Sequence, residues 1–192
     1  FRLSSHNGIR YFRNAFFFFG LGFASRYFLK FIFQIPGFSL FNPLSIFLFE
    51  FFIVMAGFFL LYSLIWRKFE AQGLSNKSSL FNIGIIIFYV FALVIAVLDY
   101  IWGTLFFMFF SQIITFFIAS IISYKNTLNS KTKGHSQKLY FAAMVIVLCA
   151  WILNTLLFAY FNFNIYVMVN VYILNMVFFT LFLFGVFRAV RS

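Results

Sequence analysis

Long apolar runs alternate with short polar segments along the chain. Six runs reach about 20 residues, the length of an α-helix that crosses a hydrocarbon core of about 30 Å. Because the runs are continuously apolar, they favour helices over barrel strands, which alternate over about ten residues. The six predicted spans are residues 14–35, 43–66, 81–101, 104–124, 139–160 and 165–187. The pattern therefore predicts an all-α integral membrane protein, with residues 1–192 forming a single transmembrane helical bundle.

The composition supports the membrane assignment. Hydrophobic residues make up 65% of the 192 residues and charged residues only 9%. A water-soluble fold carries about a quarter of its residues as charged side chains to cover its surface. The mean hydropathy of +1.03 excludes that class and indicates that lipid is the solvent.

The distribution of positive charge predicts the orientation. The chain has 14 Lys and Arg against 3 Asp and Glu, and all of the basic residues except Arg26 and Lys30 fall on one side of the predicted spans. Residues 67–80 and 125–138 form two basic loops on that side. Since Lys and Arg collect in cytoplasmic loops, both termini are predicted to be cytoplasmic or matrix-facing. The membrane would be a prokaryotic plasma membrane or an organellar inner membrane.

The six spans pair into three antiparallel hairpins that share one pattern. In each hairpin the outgoing helix carries a polar residue late in the span, and the returning helix carries another. The outgoing residues are Arg26, Asp99 and Asn154, and the returning residues are Glu50, Gln112 and Asn175. This pattern favours an internal repeat, but a chance match is the alternative in a chain with 37 Phe. The opening segment Phe1–Ser5 is similar to the end of a returning helix, which leaves open a seventh helix upstream.

The same six polar residues are predicted to form one layer in the outer half of the membrane. Counting about 1.5 Å per residue places them roughly 20–25 Å from the basic rim. An unpaired charge at that depth costs about 2.5–3.5 kcal/mol, so Arg26 and Glu50 are expected to face each other or an aqueous cavity. One interpretation is a structural ion pair with Asn and Gln as interhelical hydrogen-bond partners. The other is a site for a small molecule or ion, and solvation at the outer rim is an alternative for Asp99 alone.

The sequence offers little for catalysis. No recognised catalytic, nucleotide-binding or metal-binding motif occurs in a usable context, so no catalytic residue, metal ligand or cofactor is assigned. The lone Cys149 has no second cysteine for an intrachain disulfide. We expect a multi-pass module without catalytic activity, either a sensor or anchoring bundle or an accessory subunit of a larger membrane complex. A small transporter or channel that uses the polar layer is the alternative.

The expected partners follow from this interpretation. They are the lipid bilayer and either other membrane subunits or a cytoplasmic domain. Nucleic acid is not expected, because topology alone accounts for the excess of positive charge.

Overall fold

All regular secondary structure among the described residues is helical. A computed structural model describes residues 7–29, 42–71, 80, 83–129 and 135–160, together with four single positions between 173 and 180. The helices are α1 (Asn7–Ala24), which continues as a π-helical turn (Ser25–Leu29), α2 (Asn42–Ala71), α3 (Ile83–Trp102), α4 (Phe106–Asn129) and α5 (His135–Tyr160).

Four of these helices are long and apolar enough to cross a membrane. Their apolar stretches are Pro43–Trp66, Gly84–Trp102, Phe106–Leu128 and Tyr140–Tyr160. They coincide with the second to fifth predicted spans, to within a few residues at each end. This confirms the prediction of an all-α membrane protein with several spans.

The beginning of the chain differs from the predicted first span. Helix α1 begins at Asn7 rather than at residue 14. Arg10 and Arg13, which were predicted to precede the first span, therefore lie inside the helix. Both side chains are exposed, and α1 is not one of the four helices that meet the length and hydropathy requirement. The end of the predicted first span, residues 30–35, lies outside the described residues. So does the sixth predicted span, apart from the four single positions.

Helices α2 and α4 extend past the predicted spans, which end at residues 66 and 124, into the segments predicted as basic loops. Helix α2 continues from Trp66 to Ala71, and α4 continues to Asn129. Because a helix makes its backbone hydrogen bonds within itself, it can continue beyond the hydrocarbon core. In the α4 extension the side chain of Lys125 is exposed.

Residues 1–111 and 112–192 form two compact units. In the first unit α1 packs along α2, and α2 also packs against α3. Aromatic side chains fill both contacts: Phe18 stacks on Phe59 with the ring centroids 5.1 Å apart, and Phe58 stacks on Phe88 at 5.0 Å. In the second unit Tyr124 of α4 contacts Phe141 of α5 at 5.5 Å between ring centroids.

The close approach of α1 and α2 requires a small residue at position 22. A Cβ atom on Gly22 would lie 3.1 Å from Cδ1 of Ile53 and 3.6 Å from the carbonyl oxygen of Phe49. A Cβ atom on Gly20, two residues earlier, would meet nothing within 4 Å. The two glycines therefore form a matched pair, of which only Gly22 faces α2.

Substitution of this pair tests the α1–α2 contact. Gly22→Leu is expected to lower the free energy of unfolding by about 1–3 kcal/mol, the usual effect of adding volume to a packed contact. Gly20→Leu adds the same side chain in open space and is expected to have little effect. Denaturant titration of both variants in mixed micelles measures the difference. Equal losses would show that Gly22 is not at a close helix contact.

Candidate polar sites in the membrane-spanning helices

Asp99 lies in the last turn of α3, and its backbone carbonyl group takes part in the C-terminal cap of that helix. The carbonyl oxygen of Asp99 accepts a hydrogen bond from the Thr104 N–H at 3.0 Å, and Gly103 has a φ of 62°. This is the Schellman arrangement, in which a residue in the left-handed conformation follows the helix and a later N–H bonds back to the last turn. Glycine suits position 103 because it adopts a positive φ without a Cβ penalty.

The carboxylate of the same residue begins the next helix. Its Oδ1 accepts hydrogen bonds from the Thr104 hydroxyl and the Phe107 N–H, both at 3.0 Å. Its Oδ2 accepts one from the Met108 N–H at 2.7 Å. The first N–H groups of a helix have no partner within the helix, and the residue before α4 is Leu105, whose side chain cannot cap it. Asp99 supplies that cap from the preceding helix, where its negative charge also suits the positive end of the α4 dipole.

Burial of Asp99 follows from these contacts. The residue is 1% exposed, so it lies inside the protein and not in solvent at the outer rim. A buried carboxylate is tolerated when donors satisfy it. Three donors do so here, and Asp99 is therefore part of the framework that joins α3 to α4.

Glu50 of α2 is equally buried but has a different environment. It is 2% exposed, and its Oε2 has no hydrogen-bond partner. The contact between the rings of Phe47 and Tyr100, with centroids 6.4 Å apart, brings this part of α2 to the end of α3 that carries Asp99. Two acidic groups therefore lie close together, one satisfied by three donors and the other with an unpaired oxygen.

Arg26 belongs to the π-helical turn that follows α1. The hydroxyl of Ser45 on α2 donates a hydrogen bond to the Ser25 carbonyl oxygen at 3.1 Å, which fixes this turn to α2. The guanidinium carbon of Arg26 lies 4.8 Å from the centroid of the Phe49 ring, a cation–π contact. Arg26 is exposed, and this contact places it over the residue that precedes Glu50. The predicted ion pair between Arg26 and Glu50 stays a prediction.

Gln112 of α4 is the most deeply buried amide among the described residues. It is 0% exposed, and neither its Nε2 nor its Oε1 has a hydrogen-bond partner. A buried amide without partners costs about 1–3 kcal/mol on the scale of protein mutational data. Gln112 is thus either an unfavourable structural feature or part of a site that a ligand completes.

The buried face of α4 carries further polar residues that the sequence analysis did not identify. These residues are Thr115, Ser120 and Ser123, which are 2–7% exposed. The Ser120 hydroxyl donates a hydrogen bond to the Phe116 carbonyl oxygen at 2.8 Å. With Gln112 they recur at intervals of three to five residues, which places them on one side of a helix. The spacing of these polar residues within an apolar span is the sequence feature that could have identified this face.

The remaining predicted layer residues are less informative. Asn154 of α5 is partly exposed, and Asn175 lies outside the described residues. Arg26, Glu50 and Asp99 belong to the first unit, while Gln112 and Asn154 belong to the second.

No metal site is evident in the described part of the chain. Within residues 7–29, 42–71, 83–129 and 135–160, no three His, Cys, Asp or Glu side chains are grouped so that they could hold a metal ion. Cys149 of α5 is exposed and is a free thiol.

Comparison with known proteins gave no match to this chain among protein-family models, curated proteins or solved structures. The functional argument therefore depends on the residues and their contacts alone.

Proposed function

We propose that the chain is a multi-pass membrane module without catalytic activity. It would act as a sensor or anchoring bundle, or as an accessory subunit of a larger membrane complex. The observation that carries this proposal is the structural role of Asp99. Its carboxylate accepts three hydrogen bonds at the α3–α4 turn. An acid held in this way stabilises a helical framework and has little freedom to transfer protons in a reaction.

The proposal includes a topology for the given chain. Six spans form three antiparallel hairpins, and both termini lie on the cytoplasmic or matrix side. The positive-inside bias supports this orientation, since only Arg26 and Lys30 among the 14 basic residues fall on the other side. A sensor or anchoring bundle needs its connection to a soluble domain on that side. The helices themselves would contact lipid and other membrane subunits.

Cysteine labelling tests this topology. In a Cys149→Ala background, single cysteines at Ser5 and Ser130 are expected to react with a membrane-impermeant maleimide from the same face. A cysteine at Asn162 is expected to react only from the opposite face. The measurement uses sealed vesicles of known orientation, with labelling before and after permeabilisation.

The background variant is the control for this experiment. Since Cys149 is the one cysteine of the chain, Cys149→Ala should show no labelling from either face. Labelling of Asn162Cys together with Ser130Cys would contradict the six-span topology and the module that depends on it.

A small transporter or channel is the second candidate, and a specific observation favours it. Glu50 and Gln112 are 2% and 0% exposed, and both have side-chain polar atoms without a partner. Polar groups buried in a membrane protein usually pair with one another or mark the path of a solute or ion. A transported solute would be the missing partner in that case.

A further inference from the structure

The chain has 3 acidic residues, and their environments differ. Glu70 follows the apolar stretch of α2, which ends at Trp66. Asp99 is buried and accepts hydrogen bonds from three donors. Glu50 is buried to the same degree, yet its Oε2 has no hydrogen-bond partner. Burial of an ionised carboxylate is tolerated only where donors or an opposite charge replace its water.

Within the part of the chain that the structure describes, the groups near this part of α2 do not supply that replacement. Helix α3 contributes Asp99, which carries the same charge, and the phenol of Tyr89, whose ring stacks on Phe51 with 6.3 Å between centroids. The turn after α1 contributes Arg26, whose guanidinium lies over the Phe49 ring and is exposed. Among the described residues, the nearby cation Arg26 is therefore directed at an aromatic ring, and Asp99 is a second acidic group that cannot form an ion pair with Glu50.

Like charges at close range are accommodated when one of the two groups is neutral. The two acids differ in the donors that reach them. Asp99 receives two backbone N–H groups at the start of α4 and the Thr104 hydroxyl. Glu50 Oε2 receives none of these.

We propose that Glu50 is a proton-binding site within the membrane. Its carboxylate takes one proton from a hydronium ion, whose O–H bond breaks as the carboxyl O–H bond forms, so that the side chain becomes a neutral carboxylic acid and a water molecule is released. A proton is the cation that fits here, because a metal ion would need several oxygen ligands and those of Asp99 already accept hydrogen bonds. This inference goes beyond the proposed module and does not depend on how many spans the whole chain has.

Infrared spectroscopy can detect this proton directly. A protonated carboxyl group has a C=O stretching band above the amide I band, which a carboxylate lacks. The purified full chain in lipid nanodiscs at pH 7 is expected to show one such band. The band is expected to disappear in Glu50→Gln and to persist in Glu70→Gln, which is the matched control for the other glutamate.

A second measurement keeps Glu50 intact, so that the test does not depend on the folding of Glu50→Gln. In the Glu70→Gln variant Glu50 is the one remaining glutamate. Incorporation of ¹³C-carboxyl glutamate is then expected to shift the band to lower frequency. A band that is absent in the wild type at pH 7, or that fails to shift with the label, would overturn the proposal. So would its loss on addition of Na⁺ at constant pH, which would identify a metal cation as the ligand.

Discussion

Replacement of Asp99 by alanine is expected to lower the free energy of unfolding by about 3–5 kcal/mol. The variant removes the acceptor of three hydrogen bonds, and hydrogen bonds to a charged group contribute about 1.5–3 kcal/mol each. It leaves the N–H groups of Phe107 and Met108 without a partner where water is scarce. Equilibrium denaturation in mixed micelles or bicelles measures the loss.

Two further variants separate the cap from the burial of a charge. Thr104→Val removes one of the three donors and is expected to lose about 1.5–3 kcal/mol. Asp99→Asn keeps one oxygen acceptor and should lie between the two. If Asp99→Ala were no more destabilising than Thr104→Val, the carboxylate would not be the cap of α4, and the framework role of Asp99 would be wrong.

The sequence predicted the α3–α4 junction but not its chemistry. Trp102 and Gly103 separate the apolar runs 81–101 and 104–124, and this hydropathy pattern alone predicts a turn between them. That Asp99 reaches forward to the N–H groups of Phe107 and Met108 depends on the left-handed conformation at Gly103 and on the tight turn. Such a contact spans eight or nine residues, beyond any local helix-capping rule. For this reason the sequence left solvation of Asp99 open.

The four candidate spans were predictable because a helix that crosses the hydrocarbon core must be long and apolar enough, and both properties can be read directly from the sequence. Helix α1 was less predictable, because its helical start includes Arg10 and Arg13 and because its buried face is defined by packing on α2. The contacts of the buried polar side chains could not be predicted from the sequence either. Depth could be counted for Glu50 and Gln112, but the partner or the lack of one depends on tertiary packing.

Substitution of Gln112 by methionine is expected to raise the free energy of unfolding by about 1–3 kcal/mol. Methionine has nearly the same length and volume, and it removes an amide whose donor and acceptor are both buried without a partner. Removing a group of this kind recovers its desolvation penalty. The matched control is Ser120→Ala on the same buried face, where the hydroxyl already bonds to the Phe116 carbonyl oxygen, so no gain is expected. Denaturation of both variants in the same micelles gives the comparison.

The same variant distinguishes the two functional candidates. If Gln112 is only a structural residue, proteoliposomes with wild-type protein and with Gln112→Met should retain entrapped ions and small polar solutes equally well, and as long as protein-free vesicles do. If Gln112 belongs to a transport path, the wild type should release a solute that Gln112→Met retains, because the substitution removes the polar partner of that solute within the membrane. A gain in stability together with a loss of flux would favour the transporter, since a site that binds a ligand keeps polar groups unpaired when the ligand is absent. A gain in stability with no flux in either protein would leave the non-catalytic module as the function that the residues support.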